Sequence, residues 1–240
     1  MNEENISPSN FTFYTEISDK CSWSHNTNAK FEGSKMPGSI TSFKSIQNNY
    51  VLVYGNMKNY QIEIYDIKKN RLEDNGIIEK AHSSYINNIK HYKKGNIDFL
   101  LSSSQDNSIK LWNYNNRLNL KTIKNASHNY WIFWPSCLTT CLLFKDEKKY
   151  FISCDAYGDP NLKCWDYQGK QIKKGKFNDF VMFIDNYIDK HYNNIIITCG
   201  TKGIILINFN DFKIFRQYHE DNDKTDHRWA QIFEFNEKKN

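Results

Sequence analysis

Short runs of apolar residues recur along the chain, and polar residues separate them. The clearest runs are four or five residues long and rich in Ile, Val, Phe and Tyr; they lie at 50–54, 62–65, 99–102, 109–112, 150–153 and 195–199. Runs of this length, bounded by Asn, Asp, Gly or Lys, are typical of β-strands. Because the runs are continuously apolar, we expect strands that are covered on both faces. The pattern predicts an all-β protein.

The chain also repeats itself. Residues 99–113 align without a gap with residues 152–166, and the alignment matches Trp112 with Trp165. Two weaker copies of the pattern have other residues at the Trp position: Tyr65 in the first copy and approximately Asn208 in the last. Successive Trp positions are 47, 53 and about 43 residues apart. This period suits one four-stranded unit of a repeat protein.

The clearest copy of the repeat, residues 81–113, opens with an Ala-His pair that ends at His82 and closes with a Trp-Asn pair that begins at Trp112. This segment resembles a WD40 repeat, a family that has Gly-His and Trp-Asp at these two places. In the next unit the dipeptide is intact as Trp165 and Asp166. The resemblance implies a β-propeller of four-stranded blades.

The resemblance also implies a buried group of four polar side chains in one blade. In the family, a His, a Ser, an Asp and a Trp of one repeat form a hydrogen-bonded tetrad. By position these residues are His82, Ser102, Asp106 and Trp112. Burial obliges each of these polar groups to find a partner, so the tetrad is physically reasonable.

The other units depart from this pattern. The third unit has the motif residues His128, Asp159, Trp165 and Asp166. However, the gapless alignment puts Asp155 at the position of Ser102, and Ser153 could serve there only if the following turn is two residues longer. The first unit has Glu32 near the His position and Asn59 at the Asp position, and the fourth has neither group. We therefore expect one complete tetrad.

The length of the chain limits the number of blades. Four units are recognisable in 240 residues, whereas a seven-bladed ring would need roughly 300 residues. We expect an N-terminal extension with one strand at 1–30, blades at 31–217, and a polar loop with a C-terminal strand at 218–240. A propeller of about four to five blades then either closes by pairing the terminal segments or stays open. Open strand edges would be completed by a partner chain.

Composition leaves the partner open. Only four of the 32 basic residues are arginine, so the formal charge of +5 comes from scattered lysines. Lysine lacks the planar fork with which arginine recognises phosphate and guanine. Specific nucleic-acid binding is therefore disfavoured. A propeller that binds nucleic acid or an anionic membrane surface through its lysines is the alternative to a protein scaffold.

No motif for catalysis, nucleotide binding or metal binding stands out. The chain has no G-x-S-x-G elbow, no H-E-x-x-H pair and no P-loop. Residues 219–227 carry two His and four acids but do not fit an EF-hand, which favours a solvated loop. Cys137 and Cys141 have no nearby His at ligand spacing, which favours core positions. We expect no enzyme activity, no cofactor and no metal.

The termini and cysteines bear on the cellular compartment. The N-terminal segment MNEENISPSN is polar and unlike a secretory signal, and no stretch approaches 18 consecutive apolar residues. The six cysteines form no C-x-x-C pair and are too few for a disulfide scaffold. We expect reduced, mostly buried thiols in a cytoplasmic protein.

An aromatic insertion is the clearest candidate for partner binding. His128 and Asp159 are 31 residues apart, whereas His82 and Asp106 are 24 residues apart. The extra length falls in an aromatic cluster of Tyr130, Trp131, Phe133 and Trp134. Trp and Tyr dominate binding hot spots, although these rings could instead fill the space between blades. The sequence thus indicates a non-enzymatic WD40-type scaffold for protein–protein interactions.

Overall fold

The computed structural model describes residues 39–127, 138–155, 161–175, 181–188, 194–200 and 202–218. These ranges contain sixteen β-strands and no helix. The prediction of an all-β protein is confirmed for this part of the chain. It follows that no helix in the described ranges could span a membrane.

The strands form four sheets, each made of four consecutive antiparallel strands in chain order. Sheet 1 contains β1 (Ile40–Lys44), β2 (Tyr50–Gly55), β3 (Ile62–Asp66) and β4 (Arg71–Ile78). Sheet 2 contains β5 (Ile86–Lys94), β6 (Ile97–Ser104), β7 (Ile109–Asn113) and β8 (Asn119–Ile123). Sheet 3 contains β9 (Leu138–Lys145), β10 (Lys148–Asp155), β11 (Leu162–Trp165) and β12 (Gln171–Gly175). Sheet 4 contains β13 (Val181–Ile188), β14 (Asn194–Gly200), β15 (Gly203–Asn208) and β16 (Ile214–Tyr218).

Sheets that follow one another in the chain pack face to face. Three apolar cores lie between sheets 1 and 2, sheets 2 and 3, and sheets 3 and 4. Neighbouring residues of β6 show the consequence: Leu100 belongs to the first core and Leu101 to the second, and both are fully buried. Successive side chains of a strand point to opposite faces. Continuous apolar runs are therefore explained by sheets covered on both sides.

The first strands of the four sheets lie next to one another. β1 contacts β5, β5 contacts β9, and β9 contacts β13. The ammonium group of Lys90 on β5 reaches past β9 to β13, where it donates to the carbonyl oxygen of Ile184 and lies 3.3 Å from Asp185 Oδ2. Among the described strands, no interface of this kind joins sheet 4 to sheet 1.

One glycine permits the close approach of sheets 1 and 2. Gly55 ends β2, and a Cβ atom added there would lie 2.9 Å from the Cβ of Ile86 at the start of β5. Real Cβ atoms do not approach so closely, so a larger residue would push the two sheets apart. The site described below lies at this junction.

Four cysteines are buried in the apolar interior of sheets 3 and 4: Cys141, Cys154, Cys164 and Cys199. Cys141, Cys164 and Cys199 are free thiols. Burial raises the pKa of Cys164 to about 12 and that of Cys199 to about 11. These thiols are therefore unreactive while the sheets stay packed, because the thiolate is the nucleophile.

Candidate functional site

The segment before β5 and the turn between β6 and β7 bring four side chains of sheet 2 together. His82 Nδ1 lies 2.9 Å from Asp106 Oδ2, and His82 Nε2 lies 2.8 Å from Ser102 Oγ. The indole Nε1 of Trp112 donates to the same Ser102 Oγ at 2.9 Å. Trp112, Ser102, His82 and Asp106 thus form one continuous chain of hydrogen bonds.

One arrangement of protons satisfies every atom of this chain. The indole N–H of Trp112 can only donate, so Ser102 Oγ accepts it and donates its own proton to His82 Nε2. The other imidazole nitrogen, Nδ1, then carries the hydrogen and donates it to Asp106. On this assignment the imidazole is neutral and each polar group has a partner.

The pKa shifts of the His–Asp pair agree with a neutral imidazole and an ionised carboxylate. Burial lowers the pKa of His82, and the neighbouring Asp106 opposes this only in part. Burial alone would raise the pKa of Asp106. Hydrogen bonds from His82, the Ser108 hydroxyl and the Ser83 amide outweigh burial and hold its pKa below the ordinary range.

In sheet 3 the Trp–Ser contact recurs, and it corrects the gapless alignment. Trp165 Nε1 donates to Ser153 Oγ at 2.9 Å. Ser153 lies opposite Lys163, ten residues later, whereas the residue opposite Ser102 follows it by eight residues. The intervening turn is therefore two residues longer in sheet 3. The assignment of Asp155 to the position of Ser102 is wrong, and Ser153 stands there.

A repeated lysine contact identifies equivalent residues just before sheets 2 and 3. Lys110 Nζ donates to the carbonyl oxygen of Ala81. In the next unit Lys163 Nζ lies 3.4 Å from the carbonyl oxygen of Ala126. Both alanines are buried, and each follows the last strand of the preceding sheet by three residues. The two alanines therefore occupy the same position of the repeat.

This equivalence changes the residue at the His position of the third unit. The residue after the first alanine is His82, and the residue after the second is Ser127. Ser127 donates its hydroxyl proton to Asp155. By spacing, Ser127 and not His128 corresponds to His82. His128 itself, and the predicted Asp159, lie outside the described residues.

Sheet 1 has a different polar cluster at the corresponding place. Tyr54 lies opposite Glu63, and its hydroxyl donates to Glu63 Oε2. The side-chain amides of Asn56 and Gln61 donate to Glu63 Oε1 at 2.6 and 2.7 Å. Asn59, at the predicted Asp position, donates its backbone N–H to Asn56 Oδ1. Sheet 1 thus satisfies a buried carboxylate with amides and a phenol.

In sheet 4 the Trp position is occupied by Ile207, one residue before the predicted Asn208. The backbone N–H of Phe209 donates to β14 at 3.0 Å, as that of Tyr114 donates to β6 at 3.0 Å. The residue two places before each is Ile207 in sheet 4 and Trp112 in sheet 2. The approximate alignment of the fourth unit was therefore shifted by one residue.

The residue after the Trp position performs the same task in all four sheets. Its side-chain oxygen accepts a backbone N–H from the turn that leads to the outermost strand, at 2.8 to 2.9 Å. The four residues are Asp66, Asn113, Asp166 and Asn208. Short Asp and Asn side chains commonly close turns in this way. This hydrogen bond is the feature that the repeats share most closely.

The predicted aromatic insertion, which contains Tyr130, Trp131, Phe133 and Trp134, lies outside the described residues. Glu32, which stands near the His position of the first unit, also lies outside them. Of the second predicted motif, Trp165 and Asp166 are described: the first contacts Ser153 and the second closes its turn.

A groove of about 660 Å³ opens beside the His–Asp pair, at the junction of sheets 1 and 2. Sheet 1 contributes Tyr60 from the turn between β2 and β3, and Lys80 from the segment after β4. Sheet 2 contributes Lys110 on β7 and Lys124 just after β8. The volume is within the range of small-ligand and peptide side-chain sites. We take this groove as the candidate functional site.

The groove has an excess of positive charge. Asp106 is the carboxylate in its lining, against the ammonium groups of Lys80, Lys110 and Lys124. Burial lowers the pKa of Lys110, the charge of Asp106 opposes this, and the charge of Lys124 adds to it. Within the described residues, none of the three lysines has a carboxylate within ion-pair distance. The groove can therefore accept anionic groups.

The described residues do not offer a metal centre. No group of three or more His, Cys, Asp or Glu in these ranges is arranged so that it could hold a metal ion.

Comparison with known proteins adds no family name. No protein-family model matches the sequence, and no curated protein matches it. The hydrogen bonds, strand registers and charges of the chain itself must therefore support any functional conclusion.

Proposed function

We propose that the chain is a WD40-like β-propeller, or part of one, that acts as a scaffold for protein–protein interactions. The observation that carries the proposal is the succession of four sheets of four antiparallel strands, packed face to face in chain order. The Trp–Ser hydrogen bond in sheets 2 and 3 and the turn-closing Asp or Asn in all four sheets add to it.

A small ring is part of this proposal. Lys90 joins the first strand of sheet 2 to that of sheet 4, although sheet 3 separates them in the chain. A lysine side chain reaches only about 6 Å, since it spans four methylene groups, so the first strands of sheets 2, 3 and 4 lie close together. This closeness supports a small ring of about five blades. The terminal segments, or a partner chain, would supply the strands that close it.

Size-exclusion chromatography with light scattering, followed by hydrogen exchange, tests the ring. A monomer in which the edges of sheets 1 and 4 are both protected from exchange would support closure by the chain itself. Unprotected edges, or an oligomer that forms through them, would instead support completion by another chain.

The hydrogen bonds and charges of the described residues support a scaffold role. The polar side chains of the tetrad are committed to one another inside sheet 2, so they stabilise the sheet and hold its turns in place. The groove beside them displays charge on this rigid support. Function in such a fold resides in sites added to the scaffold and varies with their side chains. Binding of nucleic acid or an anionic membrane surface is the alternative that the same lysines support.

Affinity purification of the tagged full chain from native extract, with and without nuclease, tests the function. We expect proteins to co-purify in fixed ratio and to remain bound after nuclease treatment. Loss of all partners after nuclease treatment, with binding that falls steeply as salt is added, would favour the nucleic-acid alternative. Binding to anionic vesicles in the absence of protein partners would favour the membrane alternative.

A further inference from the structure

Two residues that line the groove have an unfavourable backbone conformation. Tyr60 has a φ of 55° and Lys80 a φ of 49°, which places both in the left-handed region. Residues other than Gly, Asn and Asp rarely adopt this backbone conformation, because it brings their Cβ atom close to the following carbonyl oxygen. Each side chain therefore reduces the stability of its own turn.

The next repeat shows which residue would suit these positions better. The counterpart of Tyr60 in sheet 2 is Asn107, since each precedes the residue whose carbonyl closes the turn between the second and third strands. The counterpart of Lys80 is Asn125, since each precedes an equivalent alanine. Both asparagines have the same left-handed φ, of 61° and 55°.

The first repeat thus has a strained Tyr and a strained Lys where the second repeat has asparagine. Asn adopts this conformation with less strain, so the Tyr and the Lys reduce the stability of the first repeat. Both side chains line the groove. Residues that are kept in spite of backbone strain are concentrated at functional sites.

We propose that this groove binds an acidic peptide segment of a partner protein. The inference rests on the proposed scaffold function and names the chemistry of its partner. Lys80, Lys110 and Lys124 supply three ammonium groups, and Lys110 also donates to the carbonyl oxygen of Ala81, which fixes its position. The single carboxylate of Asp106 offsets only one of these three charges, so the groove keeps a net positive charge.

The polar lining suits a peptide better than a nucleic acid. Asn59, Thr122 and Asn125 add amide and hydroxyl groups that can pair with a peptide backbone. Tyr60 is the aromatic residue in the lining, and its ring packs edge-on against Tyr85 at 5.4 Å. The groove therefore lacks the arginines and the successive stacking rings with which proteins bind single strands.

The substitution Lys80→Asn separates binding from folding. It removes one charge from the groove and installs the residue that sheet 2 has at the same position. We expect the melting temperature to stay unchanged or to rise, while the Kd for a fluorescein-labelled octaglutamate peptide, measured by anisotropy with the full chain, increases roughly fivefold or more. Tyr60→Asn should likewise leave the melting temperature unchanged or raise it, and it should weaken the binding of the octaglutamate peptide.

Lys58→Asn is the matched control. Lys58 is exposed, lies in the same turn as Tyr60 and does not line the groove. The proposal predicts that this variant binds octaglutamate within about twofold of the wild type, since water and salt screen the charge of an exposed lysine that does not line the groove. An equal loss of affinity in Lys58→Asn and Lys80→Asn would show general attraction to the basic surface and would overturn the proposal.

Two further outcomes are decisive. Tighter binding of a single-stranded oligonucleotide than of octaglutamate, with the same dependence on Lys80, would overturn the peptide assignment. If the wild type retains its co-purified partners but does not bind octaglutamate, the groove proposal fails and the scaffold proposal stands. If octaglutamate binds as expected but no protein co-purifies, the scaffold proposal fails instead.

Discussion

Sheets 2 and 4 use the same backbone plan with opposite side-chain chemistry. In sheet 2 the pair at the centre of the second and third strands is Ser102 and Trp112, joined to each other by a hydrogen bond. In sheet 4 the equivalent residues are Thr198 and Ile207. Ile207 packs into the apolar core, and the Thr198 hydroxyl has no hydrogen-bond partner among the described residues.

The difference shows which parts of the repeat the fold requires. Both sheets keep antiparallel registers and the turn-closing asparagine, at Asn113 and Asn208. Of these two sheets, only sheet 2 has the Trp and the Ser of the tetrad at its central positions. Backbone pairing, apolar cover and turn closure are therefore sufficient for a sheet, while the tetrad adds rigidity to the rim beside the groove.

The largest contrast is expected at the central hydroxyl. Ser102→Ala leaves Trp112 Nε1 and His82 Nε2 without a partner, so we expect the free energy of unfolding to fall by about 2 to 4 kcal/mol. Thr198→Val removes a hydroxyl that has no such role and should leave stability unchanged or raise it slightly. Urea denaturation measures both. Equal losses in the two variants would mean that the hydrogen-bonded chain does not stabilise sheet 2.

A second contrast compares the turns of sheets 2 and 1. Asp106→Ala removes the carboxylate that accepts a hydrogen bond from the buried Nδ1 of His82 and should cost about 1 to 3 kcal/mol. Asn59→Ala should cost less, because the described hydrogen bond of Asn59 is made by its backbone. Thermal denaturation of the two variants checks this order. Losses of the same size in the two variants would mean that the complete tetrad does not belong to sheet 2.

The turn-closing hydrogen bond should contribute a similar amount to the free energy of unfolding in sheets 2 and 4. Asn113→Ala and Asn208→Ala each remove one hydrogen bond to a backbone N–H, and we expect each to cost about 0.5 to 1.5 kcal/mol. Urea midpoints for the two variants, compared under identical conditions, provide the measurement. A loss confined to one sheet would contradict the view that this turn is the shared feature of the repeats.

Mild acid should weaken sheet 2 selectively. Burial lowers the folded-state pKa of His82 below its ordinary value of about 6.5, so the stability that the neutral imidazole contributes is complete above that pH and is lost as the pH falls below it. Burial also lowers the pKa of His91, so His91 adds to the same loss of stability in acid. Melting curves between pH 7 and pH 5 should therefore show decreasing stability.

The variant His82→Gln isolates the contribution of the tetrad to this pH dependence. It should reduce the slope of stability against pH, and a further His91→Gln change should reduce it again. A slope that His82→Gln leaves unaltered would assign the acid sensitivity to groups outside the tetrad.

Apolar runs in the sequence predicted six of the sixteen described strands, whereas the tetrad residues were inferred from the resemblance to a known repeat. The apolar runs lie inside observed strands because burial on two faces leaves a continuous apolar signature. Registers were harder: the longer turn after Ser153 and the shift to Ile207 depend on backbone pairing, which the side-chain pattern does not specify. In the third unit we aligned His128 with His82 because both are histidines, although by spacing Ser127 occupies that position.

The groove could not be predicted because its parts are distant in the chain. Lys80, Lys110 and Lys124 span 44 residues and meet only through the packing of sheet 1 on sheet 2. A weak signal was present, since Lys110 and Lys163 matched in the alignment and both donate to an alanine carbonyl. The strain at Tyr60 and Lys80 is a property of φ that composition does not reveal.

The distribution of buried cysteines makes the molecule its own reporter of partial unfolding. Cys141, Cys154, Cys164 and Cys199 all lie in sheets 3 and 4, and the described residues of sheets 1 and 2 contain no cysteine. In a chain whose Cys21 and Cys137 are replaced by serine, a thiol-specific label can react only when sheets 3 and 4 open. Labelling that proceeds faster than global unfolding would reveal that this half of the molecule opens as a separate cooperative unit, on a timescale set by its own packing.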